Sequence, residues 1–279
     1  MRNLIDAIKP VLGRSSTKVE EVTLADRRVF ATDGTCRPDP DYDDAWYFAL
    51  AARHSTIMDV GANRGFTALL ALLAGNADNK RLLLVDANSE ALGVACQNVC
   101  RNGFGKNVSY QQGLVSDVTG KQVNFFTVGP GDAGSVYASH AKTAANKQKS
   151  TVMTTTTIDA LAELHGIQPD LVKIDVEGAE LDVLKGATNV AKSRAPFFIE
   201  MHDLQERKMV ESAQAVIDWC TANGRTAYYM KQHEPLTDPQ TIAHRGRCHL
   251  LIIRSDQEYP AYLKPIAQGA PIKADLSKD

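Results

Sequence analysis

The stretch "IMDVGANRGF" (residues 57–66) decides the fold. Two apolar residues lead into Asp59, and Gly61 and Gly65 then bracket Ala62, Asn63 and Arg64. A strand that ends on an acid and passes through glycines onto the apolar run "FTALLALLAG" (66–75) reads as a strand–turn–helix unit. Gly61 permits a sharp turn and a close backbone approach to a ligand, and Gly65 lets the helix pack close to the strand. The apolar run is too short to span a bilayer, so its helix is expected to be buried on most sides.

Strands are expected at 56–60, 81–86, 107–112, 122–128, 152–158, 170–175, 196–201, 225–230 and 248–253. A helix is expected from Tyr42 through "AWYFALAAR". Leu92, Cys96 and Val99 keep a helical rhythm, as do Leu181, Leu184, Thr188 and Ala191, and Met209, Ala213, Val216 and Cys220. The alternation predicts an α/β fold: a mostly parallel sheet flanked by helices, with ligands beyond the carboxyl ends of its strands. Residues 122–158 break the rhythm and read as an inserted β-hairpin with a long loop rich in glycine and lysine. Residues 1–40 read as an N-terminal extension, 41–255 as the main domain and 256–279 as a C-terminal tail.

Lys plus Arg number 31 against 33 for Asp plus Glu, so no bulk basic field exists to attract nucleic acid or anionic lipid. Five scattered cysteines form no disulfide framework and point to a reducing cytosol. The opening "MRNLIDAIKPVLG" lacks the continuous apolar core of a signal peptide. These features predict a cytoplasmic protein with a small-molecule partner, no nucleic acid and no membrane span. Trp46, Tyr47 and Phe48 could pack within the chain or against a partner.

The glycine pattern is G-x-x-x-G after an acid, not the G-x-G-x-x-G that aims a helix N-terminus at a pyrophosphate. Asp59 would repel a pyrophosphate and attract a cation. S-adenosylmethionine carries an ammonium and a sulfonium and no phosphate, so the charge favours this methyl donor over a dinucleotide. Asp86, closing "RLLLVDAN", can accept both hydroxyls of an adenosine ribose. Asn63 and Ala87 flank these acids and join the expected donor set. Leu114 and Val115 would flank the adenine, with Ser116 or Asp117 on its amino group.

A second cluster lies in "PDLVKIDVEGAELDVLKGA" (169–187), where a strand ends at Asp175 and a helix begins near Gly178. Glu180 reads as a helix N-terminal acid stabilised by the dipole. Lys173 alternates with Asp175 and, in a central strand, needs a partner. The next strand, "PFFIEMH", ends with Glu200 and His202. Asp175, Glu177, Glu200 and His202 thus face one crevice, suited to a general base or to an oxygen-rich divalent cation site.

With "DVGANRG" (59–65), "VDAN" (85–88), "QNVCRNG" (97–103), "TTTTIDAL" (154–161), "KIDVEGAELDVLKGA" (173–187) and "FFIEMH" (197–202), the chain resembles the FkbM-type S-adenosylmethionine-dependent methyltransferases. The resemblance covers about residues 55–203, with "CHLLIIR" as a late strand. It implies a Rossmann-like class I methyltransferase fold with a seven-stranded sheet and a reversed hairpin at its edge. It also implies methyl transfer to a hydroxyl of a sugar, glycolipid or natural product. "VDANSE" departs from the family's habit of an aromatic or Glu before Pro on the second strand. Two activating schemes stay open. Either His202 or Asp175 takes the hydroxyl proton beside Glu200, or Asp175, Glu200 and Glu177 hold Mg²⁺. The rivals are a nicotinamide-dependent dehydrogenase, an amino-directed nucleic-acid methyltransferase and a non-catalytic binding protein. The first lacks its glycine signature, and the second would carry Asn/Asp-Pro-Pro-aromatic where "DVEG" stands.

Overall fold

The computed structural model describes residues 18–37, 43–127, 134–137 and 150–277. The first 17 residues of the N-terminal extension and most of the loop after residue 127 lie outside these described residues. The chain begins with a hairpin, β1 (Val19–Leu24) and β2 (Arg27–Thr32), then α1 (Asp44–Ala52). The strand–helix alternation follows as β3 (Thr56–Val60), α2 (Phe66–Leu73), β4 (Arg81–Asp86), α3 (Ser89–Arg101) and β5 (Val108–Gln112). Next come β6 (Leu114–Val115), β7 (Gln122–Phe126), β8 (Ser150–Thr156) and α4 (Ile158–Leu164). The last part holds β9 (Leu171–Ile174), α5 (Glu180–Lys185), β10 (Phe197–His202), α6 (Met209–Ala222), β11 (Arg225–Tyr229), β12 (Glu234–Pro235) and β13 (Arg247–Arg254).

The main sheet has the order β12-β11-β13-β10-β9-β3-β4-β5. From β5 to β10 neighbouring strands are parallel, and β13 runs antiparallel between β10 and β11. Successive residues of the central strands feed two different apolar layers. Ile57, Leu82, Leu84 and Phe198 pack with α1 and α2 on one face, while Met58, Leu83, Val85 and Ile199 pack on the other, with residues of α5 and α6. Strands buried on both faces read as unbroken apolar runs.

Three expectations change. The sheet has eight strands among the described residues rather than seven, because Glu234 and Pro235 fold back onto Tyr229 and Tyr228 as an edge pairing too short to leave an apolar signature. β7 and β8 pair antiparallel, but with β6 they form a separate three-stranded sheet instead of extending the main one. The helical rhythm expected to run to Ala191 stops at Lys185. Asp159 diverts the chain there, taking the backbone N–H groups of Asn189 (2.7 Å) and Val190 (3.0 Å) that a longer helix would need.

Both ends of the described chain pack onto this frame. Asn98 of α3 accepts from Thr32 N (2.8 Å) and donates to Thr35 Oγ1 (3.0 Å) and Arg64 O (2.9 Å). Asn102 exchanges two hydrogen bonds with the backbone of Phe30. The hairpin is thereby fixed with residues 33–37 beside the strand tips. Trp46, Tyr47 and Phe48 are buried within the chain, and the Trp46 indole donates to Ile266 O at 2.7 Å. Leu263 and Ile266 join the same apolar layer.

Asn98→Ala leaves several buried polar groups without partners. The expected cost is about 1–3 kcal/mol of stability, measured as a drop in the urea midpoint. An unchanged midpoint would show that the hairpin is held by other contacts.

Candidate active site

The turn after β3 is forced by close backbone contact. Gly61 has φ +83°, and a Cβ there would lie 1.7 Å from the carbonyl oxygen of Asp175. Its N–H and that of Ala62 donate to Val85 O, tying the turn to β4. Asn63 follows in the left-handed region at φ +46°, a strained setting for a residue with a side chain. That geometry aims its N–H at Asp86 Oδ2 (2.7 Å), while Asp86 Oδ1 accepts from Asn88 N (2.7 Å). Burial pushes the Asp86 carboxyl up to about 6, against the lowering effect of these two bonds.

A cleft of about 680 Å³ opens here, walled in part by Gly61, Asn63, Asp86, Ala87, Leu114 and Val115. All six belong to the donor set expected from sequence. Phe125, Val136 and Glu177 complete the walls and were not anticipated for the donor. Gly134 carries the 134–137 segment over Phe125, where a Cβ would come within 2.1 Å of the ring. Ser135 Oγ then donates to Glu177 O at 2.8 Å.

Three members of the expected donor set lie elsewhere. Asp59 is fully buried behind the tip; its Oδ2 accepts from Thr67 Oγ1 (2.6 Å) and its Oδ1 faces Lys173 Nζ (3.3 Å). Its charge is answered inside the protein and offers no berth to a ligand cation. Gly65 spaces α2 from α3 rather than from the strand, since a Cβ would lie 2.9 Å from that of Ala95. Ser116 is engaged in holding β6, donating N–H to Thr156 O and Oγ to Asp117 Oδ1.

The acids expected around the second cluster do converge. Lys173, 4% exposed, lies 3.3 Å from Asp59 and 3.5 Å from Asp175. Asp175 Oδ1 is buried and accepts no hydrogen bond. Burial pushes the Asp175 carboxyl up to about 7; Lys173 opposes this, and the charges of Glu200 and Glu177 add to it. His202 Nδ1 lies 2.9 Å from Glu180 Oε1, and its Nε2 lies 3.5 Å from Glu177 and 3.8 Å from Glu200. Burial alone would lower the His202 pKa, but the hydrogen bond and charge of Glu180, with Asp175 and Glu177, push it up to about 10. Its acidic neighbours thus favour the imidazolium form of His202 at neutral pH, which has no free nitrogen to take a proton. Glu180, read from sequence as a helix cap, does accept from Gly178 N (2.7 Å), yet it is also the buried partner of His202.

Glu200 is set apart from its neighbours. Arg247 lies at 3.0 Å, His249 at 3.4 Å and His202 at 3.8 Å. Burial opposes ionisation, but the positive neighbours His249, His202 and Arg247 hold its carboxyl well below the usual carboxylate range. His249 is stacked on Phe198 and faces Asp43 at 3.5 Å. Burial opposes its protonation too, and Asp43 and Glu200 raise it. The sequence signal for Arg247 and His249 was their alternation on "RCHLLIIR", which places them opposite His202 and Glu200 in the antiparallel register.

Asp175, Glu200 and His202 bring potential ligand atoms within 4.8 Å of one another, as do Asp43, Glu200 and His249. In both groups a hard cation would share Glu200 with the Arg247 guanidinium, which lies 3.0 Å from it. Glu177 belongs to neither group. Of the expected Mg²⁺ set, the structure therefore brings Asp175 and Glu200 together without Glu177.

A second cavity, of about 850 Å³, adjoins the cleft and shares Gly61, Asn63, Asp175 and Glu177 with it. Gly34, Thr35 and Arg37 from the N-terminal hairpin wall its other side. The fold and the cleft, with an acid closing the second parallel strand, define an α/β domain of the methyltransferase class.

The methyltransferase FkbM domain matches residues 59–226, and the chain belongs to the FkbM methyltransferase family. No protein of curated function matches the sequence significantly. Among solved structures, the chain is similar to a methyltransferase FkbM from Methylobacillus flagellatus KT (TM-score 0.45, 14% identity, covering 71% of this chain and 43% of that one). The chain thus spans less than half the length of that protein. It is also similar to TYW2 of M. jannaschii in complex with AdoMet (0.45, 12%, 84% of each chain). A third likeness is precorrin-6y C5,15-methyltransferase from Geobacter metallireducens GS-15 (0.40, 11%, 75% and 86%). Likenesses of this size bear on neither acceptor nor mechanism. No helix among the described residues is long and apolar enough to cross a membrane.

The His202 shift makes a pH-dependent contribution to stability. In the unfolded chain His202 titrates near about 6.5, and in the folded protein near about 10. Its contribution is fully present below the unfolded value and is lost as pH rises through the folded one. The stability gap between the wild type and His202→Gln is therefore expected to be widest at pH 6 and to narrow towards pH 10 in urea titrations. A gap that widens with pH would refute the buried imidazolium.

Proposed function

We propose that the protein transfers the methyl group of S-adenosylmethionine to a hydroxyl oxygen of a small acceptor, of the sugar, glycolipid or natural-product kind, with Asp175 as general base. The supporting observation is the position of Asp175. It lines both cavities, its Oδ1 accepts no hydrogen bond, and its carboxyl is held near neutrality at about 7. A base poised at working pH is what activation of a hydroxyl needs.

The donor cleft supports S-adenosylmethionine by its chemistry. The half-buried Asp86 carboxylate has acceptor capacity beyond its two backbone bonds, which suits ribose hydroxyls. Leu114, Val115 and Phe125 give apolar walls for a base. Glu177, held at φ +54° on the cleft wall, supplies a carboxylate for the cationic methionine end, the role that Asp59 cannot fill. When bound, S-adenosylmethionine supplies a methyl group on a positively charged sulfur leaving group. Asp175 takes the proton of the acceptor hydroxyl as that oxygen forms its bond to the methyl carbon and the sulfur–carbon bond breaks. The products are a methyl ether and S-adenosylhomocysteine. Glu200, kept ionised by Arg247 and His249, keeps Asp175 basic by its charge. Alignment of the two substrates provides the rest of the acceleration.

All five cysteines are free, which supports a reducing, cytoplasmic setting. The near-balanced charge supports a small acceptor over nucleic acid.

The test is transfer of labelled methyl groups to a library of hydroxyl compounds. Asp175→Asn is expected to lower kcat by about 10²–10⁴-fold while S-adenosylhomocysteine still binds. Wild-type activity should rise with pH through about 7, as the Asp175 carboxyl loses its proton. Full activity in Asp175→Asn would remove the base, and donor binding without transfer to any library member would favour a non-catalytic binding protein. By calorimetry, Asp86→Ala should weaken S-adenosylhomocysteine binding by about tenfold, the equivalent of one hydrogen bond to a charged acceptor.

A further inference from the structure

We infer that the acceptor is anionic: it carries an oxyanion group, carboxylate or phosphoryl, that Arg64 binds in the second cavity together with Arg37 and Arg247. The inference rests on the reading of the adjoining cleft as the methyl-donor site.

Arg37, Arg64 and Arg247 all line the second cavity and none lines the donor cleft. The acids of that cavity already face cations of their own. Lys173 lies 3.5 Å from Asp175, His202 lies 3.5 Å from Glu177, and Arg247 lies 3.0 Å from Glu200. Arg64 is different. Its Nε is buried and has no hydrogen-bond partner. A cavity-wall guanidinium that the protein does not pair offers its outer N–H groups to an oxyanion.

Local structure holds Arg64 in place. Its carbonyl is taken by Asn98 Nδ2 at 2.9 Å, which fixes the backbone. Gly34, at φ +73°, packs so closely that a Cβ there would stand 3.2 Å from Arg64 Nη1. The hairpin therefore restricts the guanidinium instead of leaving it free to swing into solvent. Arg37 lies over the Phe66 ring at 5.1 Å and beside the buried Asp44 at 3.5 Å, with 40% of its side chain exposed. Arg247 keeps 40% of its side chain exposed while paired with Glu200. Planar guanidinium forks suit carboxylate and phosphoryl groups, whose oxygens accept two parallel N–H bonds.

The arrangement also has a direction. Asp175 and Glu177 stand where the two cavities meet, and the arginines belong to the second cavity alone. An acceptor held by its oxyanion at Arg64 extends towards Asp175, which meets its hydroxyl.

The test is calorimetric titration of the full chain, with and without saturating S-adenosylhomocysteine, using glucuronate, glucose 6-phosphate and glucose as probes. At least one anionic probe is expected to bind tenfold or more tightly than glucose. Tighter glucuronate identifies a carboxylate acceptor, and tighter glucose 6-phosphate a phosphoryl one. Arg64→Gln should bring the anionic probe to within threefold of glucose, and Arg64→Lys should retain part of the preference. Arg37→Gln supplies a second reading if Arg64→Gln does not fold. S-adenosylhomocysteine affinity should stay within threefold in each variant, since these arginines lie outside the donor cleft. The inference is overturned if no anionic probe outbinds glucose, or if the preference survives in Arg64→Gln. Failure of the wild type to bind S-adenosylhomocysteine would instead overturn the donor reading, while the titration without it still reports the anion preference.

Discussion

The site depends on one buried lysine. Lys173 stands on β9 directly opposite Asp59 on β3, and both are buried. Burial disfavours the charged lysine, but Asp59 and Asp175 raise its pKa further than burial lowers it. Removing one partner of such a buried pair costs about 3–5 kcal/mol, because the other charge is left uncompensated. The ion pair therefore holds the two strand tips in register at the place where Gly61 touches the Asp175 carbonyl. It also divides one positive charge between two carboxylates. Asp59 has Thr67 as a further donor, whereas Asp175 keeps a buried oxygen with no partner. That asymmetry, with burial and the charges of Glu200 and Glu177, raises the proton affinity of Asp175.

A second set of charges keeps this asymmetry in place. Glu180 at the start of α5 holds His202 on β10, and His202 faces Glu177 and Glu200. Glu200 in turn faces Arg247 and His249 on β13, and His249 faces Asp43 just before α1. Four elements distant in sequence are thereby joined around one carboxylate. Because Glu200 is kept charged, its repulsion adds to the burial that raises Asp175.

The parts legible in the sequence are those set by local pattern. Central strands buried on both faces gave continuous apolar runs, so β3, β4, β9 and β10 were readable to within a residue or so. Asp86 and Asp175 were readable because an acid that closes such a run must sit at the sheet's carboxyl edge. What depends on register between distant strands was not readable. Asp59 looks like a ligand-facing acid until Lys173 is found opposite it. Glu180 satisfies a capping pattern whether or not His202 reaches it. His249 and Arg247 gain meaning only once β13 is known to run antiparallel beside β10. The early end of α5 has the same origin, since Asp159 competes for its continuing N–H groups from the preceding helix.

The two cavities draw on different parts of the chain. Walls of the donor cleft such as Gly61, Asp86, Leu114 and Glu177 lie within residues 59–226, the span matched by the family. The second cavity takes Gly34, Thr35 and Arg37 from before that span and Arg247 from after it. Asn98 connects the two, binding the hairpin at Thr32 and Thr35 and the glycine turn at Arg64. On the proposed reading, donor and acceptor draw on walls from different parts of the chain, and Asp175 is common to both because it stands where the two cavities meet.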